Sequence, residues 1–229
     1  MKIARQLAVS AGAVIAMLGL AAWGLTRTSA PDLAVHWDLA GRPTVFSDRY
    51  VALLFMPGIA AVVSLLLGAL PGLMPANSRI ERSAGAYTAL WMVTLFSLLV
   101  GQFLVVAMNT GISVYAPRLV GALTAVTLLV SGNWLGKIRY NYLFGIRTPW
   151  TLASERVWDK THRFTGRWMV LGAVVLLIAS FVLPGGRTPL APGWPLITTL
   201  LVCSLAPLIA GVAYSIVISR SSREGRKTP

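Results

Sequence analysis

Charge is what this sequence has least of. Of its 229 residues, only 12% are Asp, Glu, Lys or Arg while 56% are hydrophobic; a soluble domain carries about a quarter charged residues. Cysteine occurs once, at Cys203, which excludes an internal disulfide. Histidine occurs twice, at His36 and His162, so no Cys/His zinc spacing can be assembled. A phosphate-cradling glycine loop and a G-x-S-x-G nucleophile elbow are missing as well. The expectation is a protein with no metal, no cofactor and no complete catalytic constellation. The single thiol, inside an apolar run, reads as packing.

What fills the chain is long apolar sequence, with a mean hydropathy of +0.71. A membrane span needs about 20 mostly apolar residues, and six runs qualify: Leu7–Leu25, Val51–Leu70, Gly85–Met108, Leu119–Leu135, Trp168–Leu183 and Pro195–Ser219. The predicted fold class is therefore all-α, a polytopic integral membrane protein with six transmembrane helices. It divides into residues 1–115, with three spans and an extracytoplasmic loop at 26–50, and residues 116–229, with three spans and a cytoplasmic loop at 136–167. The first run follows Lys2 and Arg5 like a signal peptide. Thr28 and Pro31 are poor residues around a cleavage site, so an uncleaved first helix is expected.

The spans themselves lack Asp, Glu, Lys, Arg and His, with Arg118 at an edge. Ionisable groups inside a bilayer cost about 2.5–3.5 kcal/mol and mark proton relays and ion paths; their absence argues against a proton-coupled transporter. The sequence also shows no internal repeat of the kind many transporters use. Gln102, Asn109 and Asn133 are the strongest polar groups in or near the spans and read as helix–helix hydrogen bonding. Ala60, Ser64 and Gly68 give the second helix a small-residue face. Pro57 and Pro207 should kink their helices.

Loop charge predicts orientation. With six spans, fifteen of the twenty Lys and Arg fall on the side of the termini and five on the other. Both termini are thus expected in the cytoplasm, in a cell membrane, with Asp32, Asp38 and Asp48 outside. The net charge of +13 then faces the anionic lipid of the inner leaflet and needs no nucleic acid to explain it.

The outer loop centres on His36-Trp37-Asp38-Leu39-Ala40-Gly41-Arg42-Pro43. Gly41 and Pro43 suit a compact turn. On an extended segment His36 and Asp38 point the same way, half of an acid–base or metal pair whose other half is missing. His36, Trp37, Asp38, Gly41 and Arg42 are the candidate ligand contacts on this side.

The inner loop has more order. Thr148-Pro149 is a helix start, Thr as cap and Pro in the first position. Trp150, Ala153, Val157, Thr161, Phe164 and Trp168 then recur at helical spacing, and Arg156, Lys160, Arg163 and Arg167 form a second stripe. This predicts a basic amphipathic helix lying in the membrane interface between the fourth and fifth spans. A plain connector would not need Asn141, Gly145, Arg147, Thr148, Trp158, Thr161 and His162 together.

Those extra residues carry a resemblance. The stretch RYNYLFGIRTPWTLASERVWDKTHRFTGRW resembles the signature of the SdpI family of bacterial membrane immunity proteins, at Asn141, Gly145-Ile146-Arg147-Thr148, Trp158, Thr161-His162 and Gly166. The segment VHWDLAGRPTVF is similar to the N-terminal domain of unknown function found in that family. The resemblance implies a six-helix protein that protects its cell against a secreted peptide toxin and holds a cytoplasmic repressor at the membrane. Arg139, Asn141, Gly145, Arg147, Thr148, Trp158, Thr161 and His162 become the candidate ligand or partner contacts inside. The alternative is an enzyme or carrier for an anionic lipid or polyprenyl phosphate, with His162 as acid or base.

Overall fold

The computed structural model describes residues 3–38, 42–73, 80–183 and 194–224. Gly41 and Lys2, named above, lie outside them, as do Arg79, Arg187, Arg226 and Lys227 of the charge count. Six helices are each long and apolar enough to cross a membrane: α1 (Ile3–Arg27), α2 (Arg49–Leu73), α3 (Ala84–Asn109), α4 (Ala116–Leu135), α6 (Glu155–Val182) and α7 (Trp194–Glu224). The chain is a multi-pass helical membrane protein.

Local sequence explains three of the helix starts. The Asp48 carboxylate accepts the Tyr50 and Val51 N–H groups and so caps α2. Pro117 lies in the first turn of α4, where its missing N–H is no loss. The Ser154 hydroxyl accepts the Val157 N–H at the start of α6.

Two of the prolines create a problem that α3 solves. Proline lacks an N–H, so the carbonyl four residues earlier loses its helical partner. In α2, Pro57 frees the Leu53 carbonyl and Pro71 frees that of Leu67. The Gln102 amide of α3 donates to Leu53 at 3.0 Å, and the Tyr87 hydroxyl of α3 donates to Leu67 at 2.6 Å. Within hydrocarbon a neighbouring helix is the natural source of such a donor, since water is absent.

Packing falls into two groups joined along α3 and α4. In the first, α1, α2 and α3 enclose Met17, Ala60, Trp91 and Leu95; Gly68 of the small-residue row lies against Leu7 of α1. In the second, α4, α6 and α7 enclose Leu128, Met169, Leu176 and Leu196, with Cys203. There α4 and α6 touch backbone to backbone. A Cβ built on Gly132 would lie 2.8 Å from the Gly166 carbonyl, and one on Gly166 would lie 2.6 Å from that of Gly132.

Two local expectations change. The outer loop is not a simple turn but an antiparallel hairpin, β1 (Asp32–Trp37) with β2 (Pro43–Asp48), the only sheet among the described residues. Asn109, at the end of α3, accepts the Ala34 N–H and donates to the Ala34 carbonyl, both at 2.9 Å. Its amide satisfies the edge of β1 as a neighbouring strand would, a role different from helix–helix bonding. The predicted interfacial helix is also built otherwise. A single turn, α5 (Pro149–Leu152), breaks at Ala153 and Ser154, and the basic stretch then runs on as the first turns of α6. The break follows from the Ser154 cap, whose extended backbone restarts the helix.

Candidate functional site

The inner loop, residues 136–154, is closed by hydrogen bonds from the residues that a connector would not need. Asn141 is 1% exposed. Its Oδ1 accepts the N–H groups of Leu143 (2.8 Å) and Phe144 (2.9 Å), and its Nδ2 donates to the Arg139 carbonyl (2.8 Å). An Asn side chain can imitate backbone in this way and so turn the chain sharply. Gly145 follows with φ +123°, a region that L side chains avoid. A Cβ there would lie 2.6 Å from His162 Nε2 and 2.9 Å from the Trp158 ring. Two independent reasons therefore demand glycine at this position.

Trp158 and His162 stack at 4.1 Å between ring centroids, one turn apart on α6, and neither is exposed. Trp158 Nε1 donates to the Ile138 carbonyl at 2.9 Å. The Ile146 N–H donates to His162 Nε2 at 2.9 Å, and His162 Nδ1 lies 2.8 Å from the Trp158 carbonyl. A backbone N–H can only donate and a carbonyl can only accept, so the ring is the neutral tautomer with its proton on Nδ1. Both nitrogens are occupied by the fold. Proton transfer by His162 would need it to break one of these bonds and reach a surface it does not have.

Thr148 closes the loop. Its hydroxyl accepts the Thr151 N–H at 3.2 Å while the Thr151 hydroxyl accepts the Thr148 N–H at 2.9 Å, a reciprocal cap on α5. Thr151 Oγ1 also donates to the Ile146 carbonyl at 2.7 Å. Of the eight inner candidates, Asn141, Gly145, Thr148, Trp158 and His162 form this one knot. Thr161 is buried beside it, its hydroxyl without a hydrogen-bond partner among the described residues. Arg139 and Arg147 are exposed. The structure adds Ser83, whose hydroxyl accepts the Arg139 N–H at 2.9 Å, and Tyr140, whose hydroxyl donates to the Leu152 carbonyl at 2.8 Å. Neither could be read from spacing, because Ser83 comes from another part of the chain and Tyr140 reaches a carbonyl twelve residues further on.

The outer candidates lie at the opposite end. His36 Nδ1 meets the Thr44 hydroxyl at 2.7 Å. Asp38 binds Arg42 twice, through Nε at 2.8 Å and the backbone N–H at 2.9 Å. The register is interrupted on both sides of His36, so the alternation expected for His36 and Asp38 is broken, and each has its own partner. Beneath the hairpin lies a cavity of about 470 Å³. His36, Trp37 and Asp38 are at its rim, and Leu104 of α3, Val120 of α4 and Leu200 of α7 are among its apolar walls.

Residues 137–219 match the SdpI/YfhL protein family. This stretch contains the whole hydrogen-bonded knot apart from Ser83. The chain is also similar to the immunity protein SdpI of Bacillus subtilis (strain 168), 30% identical over 87 residues, which are 38% of this chain and 42% of that protein. The chain thus matches less than half the length of this relative. No solved structure matches.

Proposed function

We propose that this SdpI-family membrane protein, whose residues 137–219 carry the family segment, is a non-enzymatic immunity protein that protects its cell from a secreted peptide toxin. The observation that carries this reading is the apolar cavity of about 470 Å³ under the outer hairpin. An apolar segment of an amphipathic peptide gains by leaving water for such walls, while His36 and Asp38 add polar groups to the lining. Both termini and the basic loop face the cytoplasm, by the bias of Lys and Arg. At that face the knot fixes the backbone that carries Arg139, Arg147 and Thr148, a preformed surface for a cytoplasmic repressor. Preorganisation of this sort lowers the entropy lost on binding.

The test is survival of sensitive cells that express the chain and are challenged with a membrane-active peptide toxin. Val120→Trp fills the cavity from a residue that is 41% exposed, so folding tolerates it. Survival should fall about tenfold or more, the equivalent of roughly 1.4 kcal/mol of lost binding, at unchanged protein level in the membrane fraction. Full protection by Val120→Trp and by the double variant His36→Ala, Asp38→Ala would overturn the reading.

A further inference from the structure

A second feature lies at the basic end of the bundle and is independent of the immunity reading. Where α4 and α6 touch at Gly132 and Gly166, residues of both helices line a cleft of about 420 Å³. Its mouth carries Lys137 from the end of α4, and Arg163 and Arg167, one turn apart on α6. Lys137 is held in place: its ammonium donates to Asn133 Oδ1 at 3.2 Å and lies 4.8 Å from the Trp134 ring centroid. Among the described residues that line the cleft there is no carboxylate. Three clustered cations without a counter-ion in the lining repel one another and attract an anion.

The same cleft opens onto apolar surface. Val170 forms part of it, and beyond it α6 exposes Leu171, Val174 and Ile178, a strip on which an acyl chain can lie. A free phosphate has no use for that strip. From the cationic mouth and the apolar continuation, we infer that the α4–α6 cleft binds one anionic phospholipid, its phosphodiester between Lys137, Arg163 and Arg167. A lipid whose headgroup adds a cation, such as phosphatidylcholine, is disfavoured because the lining holds no carboxylate to receive it.

Native mass spectrometry of the full chain, released from nanodiscs of equal phosphatidylglycerol and phosphatidylcholine, tests this. The unaltered protein should retain phosphatidylglycerol several-fold over phosphatidylcholine. The variant Lys137→Gln, Arg163→Gln, Arg167→Gln should lose that preference. A second variant, Arg82→Gln, Arg156→Gln, Lys160→Gln, removes the same charge from exposed positions outside the cleft and should keep it. The inference is overturned if the first variant retains the preference, or if the second loses as much, since the attraction would then be diffuse. Release of the lipid by millimolar inorganic phosphate would overturn it too, by making this the site of a free anion.

Discussion

Asn141 shows how much one side chain can fix. Its amide uses both ends, and replacing it with alanine strands the N–H groups of the half-buried Leu143 and Phe144. Each unsatisfied buried group costs about 1–3 kcal/mol. Asn141→Ala is therefore expected to destabilise the protein by roughly 2–4 kcal/mol, read as a lower unfolding midpoint in detergent. Gly145→Ala should do comparable damage for a different reason. Strain at such a backbone angle costs about 1–3 kcal/mol, before His162 and Trp158 are displaced to make room for the methyl group. A thermal midpoint unchanged by either substitution would mean that the knot does not hold the loop.

At the scale of elements, the prolines of α2 and the polar residues of α3 act as pairs. Gln102 is fully buried, and the donor it supplies is needed because Pro57 leaves the Leu53 carbonyl free. Gln102→Leu alone should destabilise by about 1 kcal/mol, the usual net worth of such a bond. With Pro57→Ala also present, the helix regains its own N–H and the Gln102 bond loses its purpose. The double variant should therefore be more stable than the sum of the two single changes, with a coupling of at least about 0.5 kcal/mol. Additivity within error would show that the two positions do not communicate.

At the scale of the whole molecule, the two candidate surfaces sit at opposite ends of the bundle. Asn109 ties the hairpin to the end of α3, and Ser83 ties the knot to the turn before α3, so α3 links the two ends. Orientation can be checked directly. In a Cys203→Ser background, a cysteine in place of Val45, which is 51% exposed on β2, should react with a membrane-impermeant maleimide on intact cells. One in place of Lys160 should react only after permeabilisation. The reverse pattern would place the basic end outside and remove the basis for a cytoplasmic partner.

By itself the sequence determined the class of the molecule and singled out the stretch that folds into the hydrogen-bonded knot. Six apolar runs become six helices because a chain in hydrocarbon must satisfy its backbone internally, and that constraint is written in composition. Thr148-Pro149 as a helix start is equally local, since a cap involves residues three apart. The motif residues from Asn141 to His162 could be singled out, but not what they do. That Gly145 must clear an imidazole, that His162 has no free nitrogen, and that Gln102 and Tyr87 complete the proline-broken backbone of α2 are facts about residues distant in the chain. Only tertiary packing brings them within hydrogen-bond reach. The hairpin was hidden for the same reason: its edge is satisfied by Asn109, 75 residues after Ala34, and no local pattern announces a partner so far away.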